Sequence, residues 1–101
     1  MAVAMMQEWA PSDDRTTTNY DAFGAKLGVD SDPPEGLLIH VAGFSPDGVF
    51  RIFEVWESRE AQARFAQERL APLIDEMMAA GAGSPPIKQE IYDLHAVTEG
   101  P

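Results

Sequence analysis

Residues 37–57 read LLIHVAGFSPDGVFRIFEVWE, and the architecture turns on them. Two runs rich in β-branched and aromatic residues, Leu37 to Phe44 and Val49 to Glu57, flank Ser45-Pro46-Asp47-Gly48. Proline presets φ for a turn and glycine supplies a positive φ, so this tetrad reverses the chain. The runs therefore pair as a β-hairpin. A three-residue loop, Pro46 to Gly48, sets Ser45 opposite Val49. Continued along the strands, that register places Ala42 opposite Ile52, His40 opposite Glu54 and Leu38 opposite Trp56. A four-residue loop would shift the pairing by one and set His40 opposite Phe53.

Outward from the hairpin, residues 2–9 form an apolar run bounded by Pro11-Ser12-Asp13-Asp14, short enough for a buried strand. Thr18-Asn19-Tyr20-Asp21 carries helix-start chemistry, with Thr18 as the cap and Asp21 favourable at the positive end of the helix dipole. Tyr20, Phe23 and Leu27 follow at helical spacing, and Gly28 suits the left-handed position that ends a helix over 19–27. Pro33 and Pro34 make Val29 to Gly36 a loop. On the other side, Ser58 is an N-cap candidate. Ala61, Phe65, Leu70, Leu73, Ile74 and Met77 trace an apolar helical stripe. Pro72 removes a backbone donor from it, which predicts a kink or break near 70–72. Gly81, Gly83, Pro85 and Pro86 end the helix, and Ile87 to Val97 is the final strand. The order β-α-β-β-α-β is the ferredoxin-like, split βαβ pattern of the α+β class. It predicts a four-stranded antiparallel sheet with two helices on one face, built as a single domain over residues 1–101.

Composition bounds the function. The chain has 101 residues, 45% of them hydrophobic, a size and apolar content suited to one globular domain. It has no cysteine, which excludes disulfides, thiolate metal sites and cysteine nucleophiles, and only two histidines, His40 and His95. A protein-only metal site is therefore not expected. The net charge of −10 and the scattered Lys and Arg argue against nucleic acid and anionic membranes as partners. Neither a basic-then-apolar leader nor a run of about 20 apolar residues occurs, which points to a soluble cytoplasmic protein.

The strands alternate in an unusual way. Phe53 and Val55, with Leu37, Ile39 and Val41, form purely apolar sets, which are expected beneath the helices. The opposite sets, Ile52, Glu54 and Trp56 with Leu38, His40, Ala42 and Phe44, each hold one polar group. A solvated face reads polar at most alternate positions, and this one does not. The expectation is a homodimer in which a second copy packs sheet to sheet over that face and encloses a mixed apolar–polar pocket.

The junction Glu54-Val55-Trp56-Glu57-Ser58-Arg59-Glu60-Ala61, followed by Phe65, resembles the strand-to-helix junction of the dimeric α+β barrel superfamily. In length and element order the chain is similar to its antibiotic-biosynthesis-monooxygenase-like members, among them small actinobacterial proteins. The resemblance spans nearly the whole chain. It implies a ferredoxin-like protomer whose sheet closes into a barrel across a two-fold axis. The family includes cofactor-free oxygenases of aromatic polyketides, haem-degrading enzymes, isomerases, ring-closing enzymes and members without known activity, so the fold alone does not set the reaction. Haem-degrading relatives carry a proximal histidine on a helix. Neither expected helix here holds one, so no haem or other cofactor is expected.

His40 and Glu54 are the candidate catalytic pair. A carboxylate beside an imidazole fixes its tautomer and orientation, which suits a general base. The same pair also serves as a purely structural hydrogen bond beneath a dimer interface. Trp56, Phe44, Phe50 and Ile52 are the candidate aromatic and apolar walls, joined by Met6 from the first strand and Tyr92 from the last. The large flat Trp56 ring serves equally as core packing. Tyr92 and His95 differ in parity, so at most one of them shares a face with His40. The expected ligand is a small aromatic or polyketide-like molecule, and the expected chemistry is oxygenation, isomerisation or cyclisation without a cofactor. The rival is a homodimer that holds a ligand, or none, without catalysis.

Overall fold

The computed structural model describes residues 1–11, 16–81 and 84–101. The proposed boundary at residues 12–14 and the helix stop at Gly83 lie outside the described residues. In chain order the elements are β1 (Val3–Glu8), α1 (Thr18–Leu27), β2 (Leu37–Phe44), β3 (Phe50–Trp56), α2 (Arg59–Phe65), a π turn (Ala66–Leu70), α3 (Ala71–Ala79) and β4 (Lys88–Asp93). The strands form one antiparallel sheet in the order β2-β3-β1-β4, the ferredoxin-like arrangement. β4 stops at Asp93, four residues short of the expected Val97.

The hairpin closes through a three-residue loop. Ser45 N donates to Val49 O at 2.9 Å, Gly48 N donates to Ser45 O at 2.9 Å, and Gly48 takes the positive φ of 83° that the turn requires. His40 faces Glu54 and Ala42 faces Ile52, as the loop length dictates. At the far end the register differs from the expectation. A bulge between Leu37 and Ile39 sets Leu37, rather than Leu38, opposite Trp56. It follows Gly36, where the chain makes a close approach. Gly36 has φ 89°, and a Cβ there would lie 2.5 Å from that of Ala61 in α2. An extra residue lets β2 leave this pinned loop and still present His40 to Glu54.

The helix ends follow local chemistry with two differences. Gly28 caps α1 at φ 70°, and Ser58 Oγ accepts from Ala61 N at 3.1 Å at the start of α2. The cap of α1 is Thr17, one residue before the expected Thr18, and its hydroxyl donates to the Asp21 carboxylate at 2.8 Å rather than accepting from a backbone amide. Near Pro72 the helix does not break. It widens into the π turn and resumes as α3, with Pro72 in the first turn, where its missing N–H leaves no gap in the ladder.

The two faces of the sheet are reversed relative to expectation. Val3, Met5, Ile52, Glu54, Trp56 and Phe65 are buried, and Trp56 packs on Phe65 with ring centroids 5.4 Å apart. The helix side is therefore the one that holds Ile52, Glu54 and Trp56, which are buried, with His40 and Ala42, which stay exposed, and Phe44 at its edge. Of the purely apolar set, Ile39, Val41 and Phe53 lie on the open face, 53%, 47% and 48% exposed, while the bulge turns Leu37 against the core. Glu54 tolerates the inner face because it is fully hydrogen-bonded there. A paired polar group need not face water, and burying the Trp56 ring favours this orientation.

Candidate functional site

Glu54 lies at the centre of β3, where strand parity turns its side chain toward the helices. Its two carboxylate oxygens have separate partners. Trp56 Nε1, two residues along the same strand face, donates to Oε1 at 3.1 Å. His40 Nδ1, across the hairpin, lies 2.6 Å from Oε2. A carboxylate only accepts, so His40 carries a proton on Nδ1 and turns Nε2 toward the helix side. Nε2 in turn lies 2.6 Å from the hydroxyl of Tyr20 on α1. Tyr20, His40, Glu54 and Trp56 thus form one hydrogen-bonded chain from helix to sheet.

The gradient of exposure along that chain matters for chemistry. The Glu54 side chain is 10% exposed and that of His40 is 30% exposed. The carboxylate is sealed, and the imidazole reaches the edge of a region open to solvent. The aromatic surroundings are continuous. Phe50 lies edge-on to Tyr20 at 5.3 Å and packs against Phe44 at 5.0 Å and Trp9 at 5.8 Å. Trp9 is fixed by an Nε1 hydrogen bond to Ser84 O at 3.0 Å. Such a wall suits a flat, apolar ligand.

The Tyr20 hydroxyl is held above its ordinary pKa, first by partial burial and then by the negative charges of Asp30, Glu54 and Asp21. The folded protein therefore binds this proton more tightly than the unfolded chain does. The stabilisation it gives is complete below the ordinary tyrosine value of 10.0 and is lost as pH rises through the higher folded value. The expected result is a fall in thermal stability above about pH 10 that is smaller in Tyr20→Phe. An identical alkaline decline in both proteins would show that Tyr20 is neither buried nor set among these carboxylates as described.

The inner face gathers six of the eight sequence candidates: His40, Glu54, Trp56, Phe44, Phe50 and Ile52. Trp56 has no exposed surface, so it is the floor beneath Glu54 rather than an exposed wall. Met6 and Tyr92 lie on the opposite, open face, where β1 and β4 present Ala4, Met6 and Tyr92 beside Phe53 and Val55. They do not share a face with His40. There, a hydrogen bond to Glu90 holds the Tyr92 pKa above its ordinary value. Tyr20 covers His40 in part from the helix side, leaving its side chain 30% exposed. Sequence reasoning missed Tyr20 and Trp9. Tyr20 stood in the apolar stripe of α1, and its one distinguishing signal was a hydroxyl in that stripe. Among the described residues, no group of three or more His, Asp or Glu side chains is placed to hold a metal ion. Among the described residues, no helix is long and apolar enough to cross a membrane.

No protein-family model matches the sequence, and no curated protein is similar to it in sequence. Solved structures do share its fold. Rv0793 from Mycobacterium tuberculosis superimposes with a TM-score of 0.71 at 15% identity, over 98% of this chain and 100% of that one. SnoaB from Streptomyces nogalater, a cofactor-independent oxygenase, gives 0.65 at 13% identity, over 95% of each chain. A candidate antibiotic biosynthesis monooxygenase from Deinococcus radiodurans gives 0.64 at 15% identity, over 98% of this chain and 97% of that one. The chain therefore shares the ferredoxin-like α+β fold of these structures.

Proposed function

We propose that this protein binds a small hydroxylated aromatic or polyketide-like molecule between its sheet and α1 and transforms it without a cofactor. The observation that carries this reading is the Tyr20–His40–Glu54–Trp56 chain beside the Trp9, Phe44 and Phe50 rings. His40 is the general base. Glu54 orients its imidazole and stabilises the imidazolium that forms. Trp56 holds Glu54 in turn, and the aromatic rings exclude water and seat the ligand. A phenol or enol that gives its proton to Nε2 becomes an electron-rich anion. In an oxygenation, that anion reduces O2. A ring CH2 becomes C=O, one oxygen atom enters the product and the other leaves as water, and the substrate supplies all four electrons. Isomerisation and cyclisation begin from the same deprotonation. SnoaB shows that the fold supports cofactor-independent oxygenation. The test is oxygen uptake and product formation with a panel of hydroxyarenes and enolic polyketides, with no flavin or metal added. Failure of every compound to react while some bind would favour the ligand-holding alternative.

The proposed assembly is a cytoplasmic homodimer joined through the open sheet face, with no nucleic acid or membrane partner. Ile39, Val41, Phe53 and Tyr92 are each about half exposed there, and a contiguous apolar face of this kind marks an interaction surface. A second copy of so acidic a chain is a suitable occupant because this face is charge-balanced. Arg51 pairs with Glu8 at 2.8 Å and Lys88 with Glu90 at 3.4 Å, all four on the open side. Sedimentation at micromolar concentration should give twice the protomer mass of 11.0 kDa, and Phe53→Asp should lower it. A wild-type monomer at high concentration would contradict the assembly.

A further inference from the structure

A general base at His40 raises a difficulty. The Nε2 atom that must receive the ligand proton is already engaged by the Tyr20 hydroxyl at 2.6 Å. The way the site holds Tyr20 resolves it. The Tyr20 ring is a phenol, its plane lies 12° from that of the imidazole with centroids 6.1 Å apart, and it makes a T-shaped contact with Phe50 at 5.3 Å between centroids. Its hydroxyl is 2.6 Å from Nε2. These are the contacts a hydroxyarene ligand would make at the same base and the same aromatic wall.

The helix that carries Tyr20 is suited to release it. None of its residues is buried. Its C-terminal end is anchored independently of Tyr20, by Arg69, whose guanidinium donates to Leu27 O at 2.8 Å and to Asp32 O at 2.9 Å. Arg69 is itself braced over the Phe65 ring at 5.6 Å. The clamp lies at the end of α1 where Gly28 adopts a positive φ. Withdrawing the Tyr20 end costs one neutral hydrogen bond and aromatic contacts that an incoming ring replaces, and no side chain of α1 itself leaves a buried position.

We propose that Tyr20 is a resident occupant of the ligand seat, a phenol supplied by the chain itself that plugs His40 until a hydroxyarene displaces it. The proposal rests on the reading of the inner face as a hydroxyarene site, and it adds that binding is a competition with Tyr20. Opening the seat pays only one part of that competition, so the gain on removing Tyr20 is about tenfold, the equivalent of one net hydrogen bond.

The test is the affinity of 2-naphthol, by calorimetry, for three proteins: wild type, Tyr20→Ala, and Tyr20→Ala combined with His40→Gln. Circular dichroism confirms the fold of each. The expected result is about tenfold tighter binding to Tyr20→Ala than to wild type, with the gain lost when His40→Gln is added. Should Tyr20→Ala not fold, Tyr20→Phe keeps the ring and loses only the hydroxyl, and a tightening of a few-fold is expected. Equal or weaker binding in the Tyr20 variants, still dependent on His40, would overturn the plug and leave the site in place. Binding to none of the proteins, or binding indifferent to His40, would overturn both.

Discussion

Turnover of a bound hydroxyarene should fall by about 10²–10⁴ on replacing His40 with Ala, the usual contribution of a positioned general base. Ala also leaves Glu54 Oε2 without its donor on a nearly buried carboxylate, at a cost of about 1–3 kcal/mol in stability. His40→Gln separates the two effects. The glutamine amide can donate to Glu54, so the fold keeps the bond, but it is no base at neutral pH. Loss of turnover in His40→Gln with little change in melting temperature assigns His40 to the chemistry. Glu54→Gln leaves one acceptor oxygen for two donors, so it loses either the Trp56 or the His40 bond together with the charge that favours imidazolium, and it should lower both turnover and stability. Full turnover in a folded His40→Gln protein would reject the base, and destabilisation as the sole effect of His40→Ala would leave the ligand-holding alternative.

The largest effect on folding should come from Trp56→Ala. The ring has no exposed surface, packs on Phe65 and Val3, and supplies the indole donor to Glu54. Emptying such a site removes about 3–5 kcal/mol. Domains of this size have about 5–15 kcal/mol in all, so the variant should be partly unfolded or melt far below wild type. Trp56→Phe fills most of the volume and should lose less, mainly through the missing N–H. Denaturant midpoints at unchanged slope measure both. A loss below about 1 kcal/mol for Trp56→Ala would place the ring at the surface and contradict the inner-face packing.

How much of this was legible in the sequence depends on whether the signal was local. Ser45-Pro46-Asp47-Gly48 specifies its own turn, and loop length then carries the register as far as His40 and Glu54. The bulge before Ile39 was not legible. It follows the contact between Gly36 and Ala61, residues far apart in the chain. The face assignment failed for a related reason. One polar residue per strand suggested the side away from the helices, but His40 and Glu54 satisfy each other, and with Tyr20 and Trp56 they make the inner face self-sufficient. Met6 and Tyr92 were drawn into the site by that same inversion. Tyr20 went unrecognised because its partner lies across the gap between α1 and β2, a distance set only by the folded chain. At Pro72 the sequence located the irregularity but not its form, since a π turn and a break leave the same missing donor.

The most direct test of the inner-face site is the imidazole 15N spectrum of His40 during titration with 2-naphthol. Nδ1, protonated against Glu54, should hold its resonance. Nε2 should shift as the phenol of Tyr20 gives way to that of the ligand, and the Phe44 and Phe50 ring signals should move with it. Saturable binding that leaves His40 unchanged and moves Phe53 and Tyr92 instead would put the ligand on the open face and contradict the site described here.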